Sequence, residues 1–270
     1  MAPEVLVNRY EVGRLIGDGA ITRVLEARDR HHEDRHVALK VLIERLTDDE
    51  AFLERLEREA QTAASLNHPN IAAVHEVGWD SRTRFVVTEL VDGPCLRDML
   101  ADRGPLPPVG VARVAATVCA ALAAAHAHGM AHGHLTPANV LLAIDGQVKV
   151  TDFRLALAAR PSAAVSDPAA DLQGVGRCLA AMLTGRAPAA DAPIGLGPEV
   201  PIELAAIVLR AAGDLQPAYR SAADLGRDLV RFLASVDHGA ATTAQPDLAY
   251  GYDRSGGAPG PARRPPSPCW

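Results

Sequence analysis

The stretch His132-Gly-His-Leu-Thr-Pro-Ala-Asn-Val-Leu-Leu142 carries an Asn and an apolar tail at a spacing that suits phosphoryl transfer. Two residues after His132, where a carboxylate would accept the proton of an attacking hydroxyl, stands His134. A neutral imidazole can accept a proton, its ordinary pKa lying near about 6.5. Beside a terminal phosphate the negative field favours imidazolium, which is no base. Two further stretches have the residue types to handle phosphate. In LIGDGAITRVLEARD, Gly17 and Gly19 are one residue apart between apolar segments, which lets the backbone fold tightly over an anion. A plain hairpin turn reads the same way. In HVALKVL, Lys40 lies in a run that reads as a buried strand, where an ammonium needs an anionic partner. Glu59, in the charged run DDEAFLERLEREAQTAASL, is the natural candidate, the alternative being a surface lysine on an edge strand.

These groups need elements to hold them. From about Tyr10 to Glu89, β-type segments dominate: YEVGRLIGD, RVLEARD, HVALKVLI, AAVHEVGW and RFVVTEL. One helix interrupts them, with Phe52, Leu53, Leu56, Ala60 and Ala63 at helical spacing and charges on the other face. From Val91 to Ala234 helices take over: Leu96–Asp102, Val109–His128, Leu172–Thr184, Ile202–Ala211 and Ala222–Leu233. Within this part NVLLAIDGQVKVTDF reads as a hairpin turning at Asp145-Gly146. The expected organisation is an N-terminal extension (1–9), a β-rich lobe (10–90), a helical lobe (91–235) and a disordered Gly/Pro/Ser-rich tail (236–270).

Composition narrows the class. A chain of 270 residues, 48% apolar and 22% charged, is long enough for two lobes with a real core. Aromatics are only 4%, so that core must be aliphatic and alanine-rich. A net charge of −6 without a basic stripe argues against nucleic acid as a partner. Cys95, Cys119, Cys178 and Cys269 lie far apart, suggesting free thiols rather than zinc or a disulfide framework. No signal peptide is visible, and Arg113 and His126 interrupt the most apolar stretch; a cytoplasmic chain without a membrane span is expected.

The order GxG…V, VALK, EREAQTAASLNHPNI, FVVTELVDG, ALAAAHAHGMAHGHLTPANVLL, VKVTDF and DLQGVGRCLAAMLTGRAP resembles the bacterial Ser/Thr protein kinases, from about Tyr10 to Leu233. The resemblance implies an α+β, bilobal fold: a small β-rich lobe with one helix and a larger helical lobe. It implies that Gly17 and Gly19 cover a nucleotide and that Val24, Ala38 and Leu141 sandwich its adenine. Thr88 would be the gatekeeper, and Glu89 to Val91 the hinge pairing with the base. Lys40 would contact the α/β-phosphates of ATP, oriented by Glu59, and Asn139 and Asp152 would hold Mg²⁺. His132 and Phe153 would stack in an apolar spine beneath Val74 and Ala63, and Asp171 would anchor the catalytic loop from the central helix.

Departures cluster at the chemistry. The family's Arg-Asp is Gly133-His134, its following lysine is Thr136, its Asp-Phe-Gly is Asp152-Phe153-Arg154, and its third loop glycine is Thr22. The segment FRLALAARPSAAVSDPAA between Asp152 and Asp171 is too short for a substrate-docking activation segment. Arg220 matches the arginine that would pair with that segment's missing Glu. Arg154 is expected to reach Asp152 or the β/γ-phosphates, supplying charge in place of Mg²⁺; the alternative is an arginine in solvent beside an empty pocket. The sequence thus reads as a pseudokinase acting as a regulatory or scaffolding module in Ser/Thr kinase signalling. The alternatives are an active or weakly active Ser/Thr kinase using His134 as a non-standard base, and a small-molecule phosphotransferase, whose HGDLHPGN loop is also similar. Expected partners are proteins, an active kinase or a phosphothreonine-reading domain that would recognise phosphorylated Thr242, Thr243, Ser255 or Ser267.

Overall fold

The computed structural model describes residues 5–18, 22–43, 49–80, 83–153, 167–189 and 192–239. Gly19, Arg154 and the tail beyond residue 239, Cys269 and its Thr and Ser residues included, lie outside the described residues.

The N-terminal half is one antiparallel sheet of six strands in the order β1-β2-β3-β4-β6-β5. The strands are β1 (Val5–Leu6), β2 (Tyr10–Asp18), β3 (Thr22–Asp29), β4 (Arg35–Leu42), β5 (Val74–Asp80) and β6 (Thr83–Glu89). Alternation along β4 assigns its faces. Val37 and Leu39 pack with Tyr10, Ala27, Phe85 and Val87 on one side. Leu42 joins Val86 and the helix residues Phe52, Leu56 and Ala60 on the other. That helix, α1 (Glu50–Ala64), starts at Asp49, whose carboxylate accepts from the Phe52 N–H.

The C-terminal half holds α2 (Leu96–Arg103), α3 (Pro108–Ala127), a hairpin of β7 (Val140–Leu142) and β8 (Val148–Val150), α4 (Pro168–Thr184), α5 (Ile202–Ala212) and α6 (Ala222–Gly239). The hairpin turns at Asp145-Gly146 as expected, with Gly146 at φ 86° and the Asp145 carboxylate accepting from the Gln147 N–H. α3 is long and apolar enough to cross a membrane, but here it is a core helix with Val111, Val114, Val118 and Leu122 buried against α4 and α6. Glycine lets helices touch: a Cβ on Gly176 of α4 would lie 2.4 Å from the Ala212 nitrogen of α5. Cys119 and Cys178 are free and buried, burial pushing both thiols up to about 12. Cys95 departs from the free-thiol expectation, being disulfide-bonded; wide spacing in sequence carried no sign of this.

The two halves are stitched together by the loop after α1. Asn70 accepts from the Val150 N–H at 2.8 Å and Ala72 donates to the Val150 carbonyl at 2.9 Å, so Ile71 forms a parallel bridge to β8. The Asn70 amide donates to the Val148 carbonyl at 2.9 Å.

Candidate functional site

Strand register gathers the cleft residues. Val24 faces Lys40 across β3 and β4, and Ala38 faces Thr88 across β4 and β6. Directly opposed residues share a face, and positions 38 and 40 are two apart, so all four lie on the face shared with Val86. Each is buried. From the other lobe Leu141, fully buried, packs with Ala72, Val91 and Cys95. The chain runs close there: a Cβ on Gly93 would lie 2.0 Å from the Leu142 carbonyl oxygen. The hinge side chain Glu89 accepts from the Ala73 N–H at 3.3 Å and pairs with Lys149 of β8 at 2.6 Å. Gly17 is buried at the end of β2, opposite Val24.

Lys40 is only 2% exposed, so its ammonium needs charge and hydrogen bonds. It forms a close ion pair with Asp152 and donates to the Thr151 hydroxyl at 3.4 Å. Asp152 reaches Lys40 from the facing lobe, a contact the sequence did not name, and Glu59, the anion expected there, is half-buried on α1 beside Ala60. Asp152 has φ 63°, a left-handed backbone uncommon for a side-chain-bearing residue. Such a conformation persists only where the surroundings over-determine it.

Below the cleft a hydrogen-bonded frame fixes the loop. Asp171 of α4, 1% exposed, accepts from the His132 N–H at 2.7 Å, the Gly133 N–H at 2.9 Å and His126 Nε2 at 2.9 Å. His132 Nδ1 accepts from the His134 N–H at 3.2 Å, so the ring proton sits on Nε2 and is donated to the Thr151 carbonyl at 2.9 Å. Burial holds this imidazole neutral, pushing its pKa down against the opposing pull of Asp171. Its ring lies 4.8 Å from that of Phe153, which belongs to the main core together with Ala63, and Val74 packs against that same core. Asn139 donates its amide to the His134 carbonyl at 2.8 Å, leaving its Oδ1 as the ligating end. Between these fixed groups the His134 side chain is exposed. Asp167 is an exposed cap of α4, accepting from the Ala169 N–H at 2.9 Å. Arg220 is exposed and makes no ion pair among the described residues. Sequence reasoning missed two partners, His126 and Lys149. The one signal for His126 was a polar residue interrupting an apolar helix.

A β-rich lobe and a helical lobe facing each other across an ion pair of a buried lysine with a part-buried aspartate, above a carboxylate-anchored loop, define a protein-kinase-type cleft. The protein kinase domain model matches residues 10–173. Over 273 residues the chain is 34% identical to the serine/threonine-protein kinase PknB of Mycobacterium leprae, covering 85% of this chain and 44% of that protein. It is 37% identical over 205 residues to PknL of Mycobacterium tuberculosis, covering 68% of this chain and 51% of that one. The chain thus spans about half the length of these relatives. A double-mutant kinase domain of M. tuberculosis PknI superposes with a TM-score of 0.74 at 27% identity, over 87% of this chain and 99% of that one. The chain belongs to the bacterial serine/threonine protein kinase family, and it has that family's fold.

Kinases of this family generally use ATP with Mg²⁺. The donors here fit a hard cation: one carboxylate on Asp152 and one amide oxygen on Asn139, a set that Mg²⁺ completes with phosphate and water. Among the described residues no group of three or more His, Cys, Asp or Glu could hold a metal without a nucleotide.

Proposed function

We propose that this chain is a pseudokinase: a nucleotide-binding module that has lost efficient phosphoryl transfer and acts by binding a protein partner in Ser/Thr kinase signalling. The observation that carries the reading is position 134. The frame that presents this position is intact, through Asp171, His132 and Asn139, yet an exposed imidazole stands where a carboxylate would steer an incoming hydroxyl. Loss of a positioned base costs roughly 10²–10⁴-fold, and Thr136 in place of the supporting lysine adds to that loss.

The nucleotide half is better kept. Val24, Ala38, Val91 and Leu141 would enclose an adenine, Thr88 would bound it, and Lys40 would meet the phosphates. Asp152 and Asn139 would hold Mg²⁺, which when bound supplies positive charge to the phosphate oxygens. The Lys40–Asp152 pair carries no net charge, so a nucleotide bound with little metal would draw its counter-charge from Arg154, whose guanidinium is expected to reach Asp152 or the β/γ-phosphates.

The decisive experiment pairs ATP titration, with and without Mg²⁺, with a radiolabel transfer assay on the natural chain and on His134→Asp. Nucleotide-dependent thermal stabilisation that Lys40→Met abolishes, with no transfer by the natural chain, is expected. Transfer by the natural chain at ordinary kinase rates would overturn the reading. It would instead favour a kinase using His134 as base, a reading that draws on the intact loop frame.

A further inference from the structure

At the base of the helical lobe α5, α6 and the loop between them enclose a second concavity in two parts. One part, about 620 Å³, is lined by Ile207, Leu215, Pro217 and Phe232 among others, with Glu203 touching this part alone. The other, about 510 Å³, is lined by Arg210, Arg220, Arg227 and Arg231, with Asp224, Asp228 and Tyr219. Arg210, Tyr219, Asp228 and Arg231 line both, so the two parts form one groove with an apolar end and a cationic end.

The cationic end is unusual for this chain. Four arginines face two aspartates, an excess of two positive charges, in a protein whose net charge is −6. Arg210 is held in place: it lies 4.4 Å from the Tyr219 ring centre, donates to the Pro217 carbonyl at 2.7 Å and sits 3.5 Å from Asp228. Arg227 and Arg231 pair with Asp224 and Asp228 within their own helix, but their side chains stay 70% and 77% exposed. Arg220 is exposed with no ion pair among the described residues. A phosphorylated side chain brings about −1.5 to −2 charges and three acceptor oxygens, a match for that excess and for guanidinium forks. Leu215, 42% exposed, offers an aliphatic contact beside it.

We infer that this groove binds a partner peptide in which a phosphorylated Ser or Thr lies next to an aliphatic residue. The phosphate takes Arg220 and Arg227, and the aliphatic side chain lies on Leu215 and Ile207. The site is separate from the nucleotide cleft, so its loss and the loss of nucleotide binding are independent outcomes.

The test uses the full chain, immobilised without nucleotide. It is challenged with a peptide library fixed at a central phosphothreonine flanked by Leu or Ile, and with the same library carrying Thr. Retention of the phosphorylated library alone is expected, falling at least about tenfold in Arg220→Ala/Arg227→Ala and unchanged in Lys40→Met. Leu215→Ser should lower retention while leaving the preference for phosphate. All three altered side chains of the groove are exposed, so unchanged circular dichroism melts are expected to certify the fold. No retention, equal retention of both libraries, or indifference to the arginine substitutions would each overturn the inference. So would a chain that retains no peptide but forms a dimer that Arg220→Ala dissolves, since the occupant would then be a second copy.

Discussion

Asp171 gathers three donors from inside the core, two backbone N–H groups and the His126 ring. Replacing it with Asn turns one acceptor into a donor facing other donors. Asp171→Asn should lower stability by about 1–3 kcal/mol in urea unfolding, with nucleotide affinity falling as the loop loosens. His132 gives a pH dependence. Its folded pKa is depressed by burial, while an unfolded histidine titrates near about 6.5. As pH falls through that value the unfolded chain takes up a proton that the folded chain refuses, so stability falls. The slope from one such site is at most about 1.4 kcal/mol per pH unit, levelling off below the folded pKa. His75, depressed by burial and by Arg35, adds in the same direction. In His132→Phe the decline between pH 7 and 5 should be shallower than in the natural chain, although the variant starts less stable. An equal slope in both proteins would remove His132 from the account. At this scale the sequence made Asp171, Asn139 and His132 legible because each sits in a motif with its neighbours. Lys40 was legible as a buried cation, but not its contact with Asp152, which is set by how β4 approaches the segment that follows β8.

Helices and strands were the most legible level, since each repeats its signal over several turns or alternations. Periodicity gave α5 and α2 nearly to the residue, and the Asp-Gly turn gave the β7–β8 hairpin. The short β1 escaped, two residues being too few to show alternation; it pairs Val5 and Leu6 with β2 and so draws the expected extension into the sheet. The last helix runs on to Gly239 because Val236 still packs on the core. Two tests belong here. Gly176→Ala forces α4 and α5 apart and should cost about 1–3 kcal/mol, whereas Gly110→Ala, with open space around it, should cost nothing measurable. Asp49→Ala removes the carboxylate that caps α1 and should cost about 1 kcal/mol in thermal or urea unfolding.

For the whole molecule, the succession of β-rich and helical regions was enough to expect two lobes meeting near residue 90, but not the contacts that join them. Composition changes near Val91, at the covalent crossover. The physical seam lies elsewhere, because Asn70, Ile71 and Ala72 hydrogen-bond to β8 of the helical half while the chain around them belongs to the sheet. Glu89 and Lys149 add an ion pair across the same seam. Severing the chain at residue 90 would therefore strip Ile71, 4% exposed, from its bed and leave two unpaired backbone groups on Val150. Neither fragment should survive alone. Scanning calorimetry of the intact chain should show a single endotherm with equal van't Hoff and calorimetric enthalpies, and two resolved endotherms would mean the seam carries little of the cohesion assigned to it.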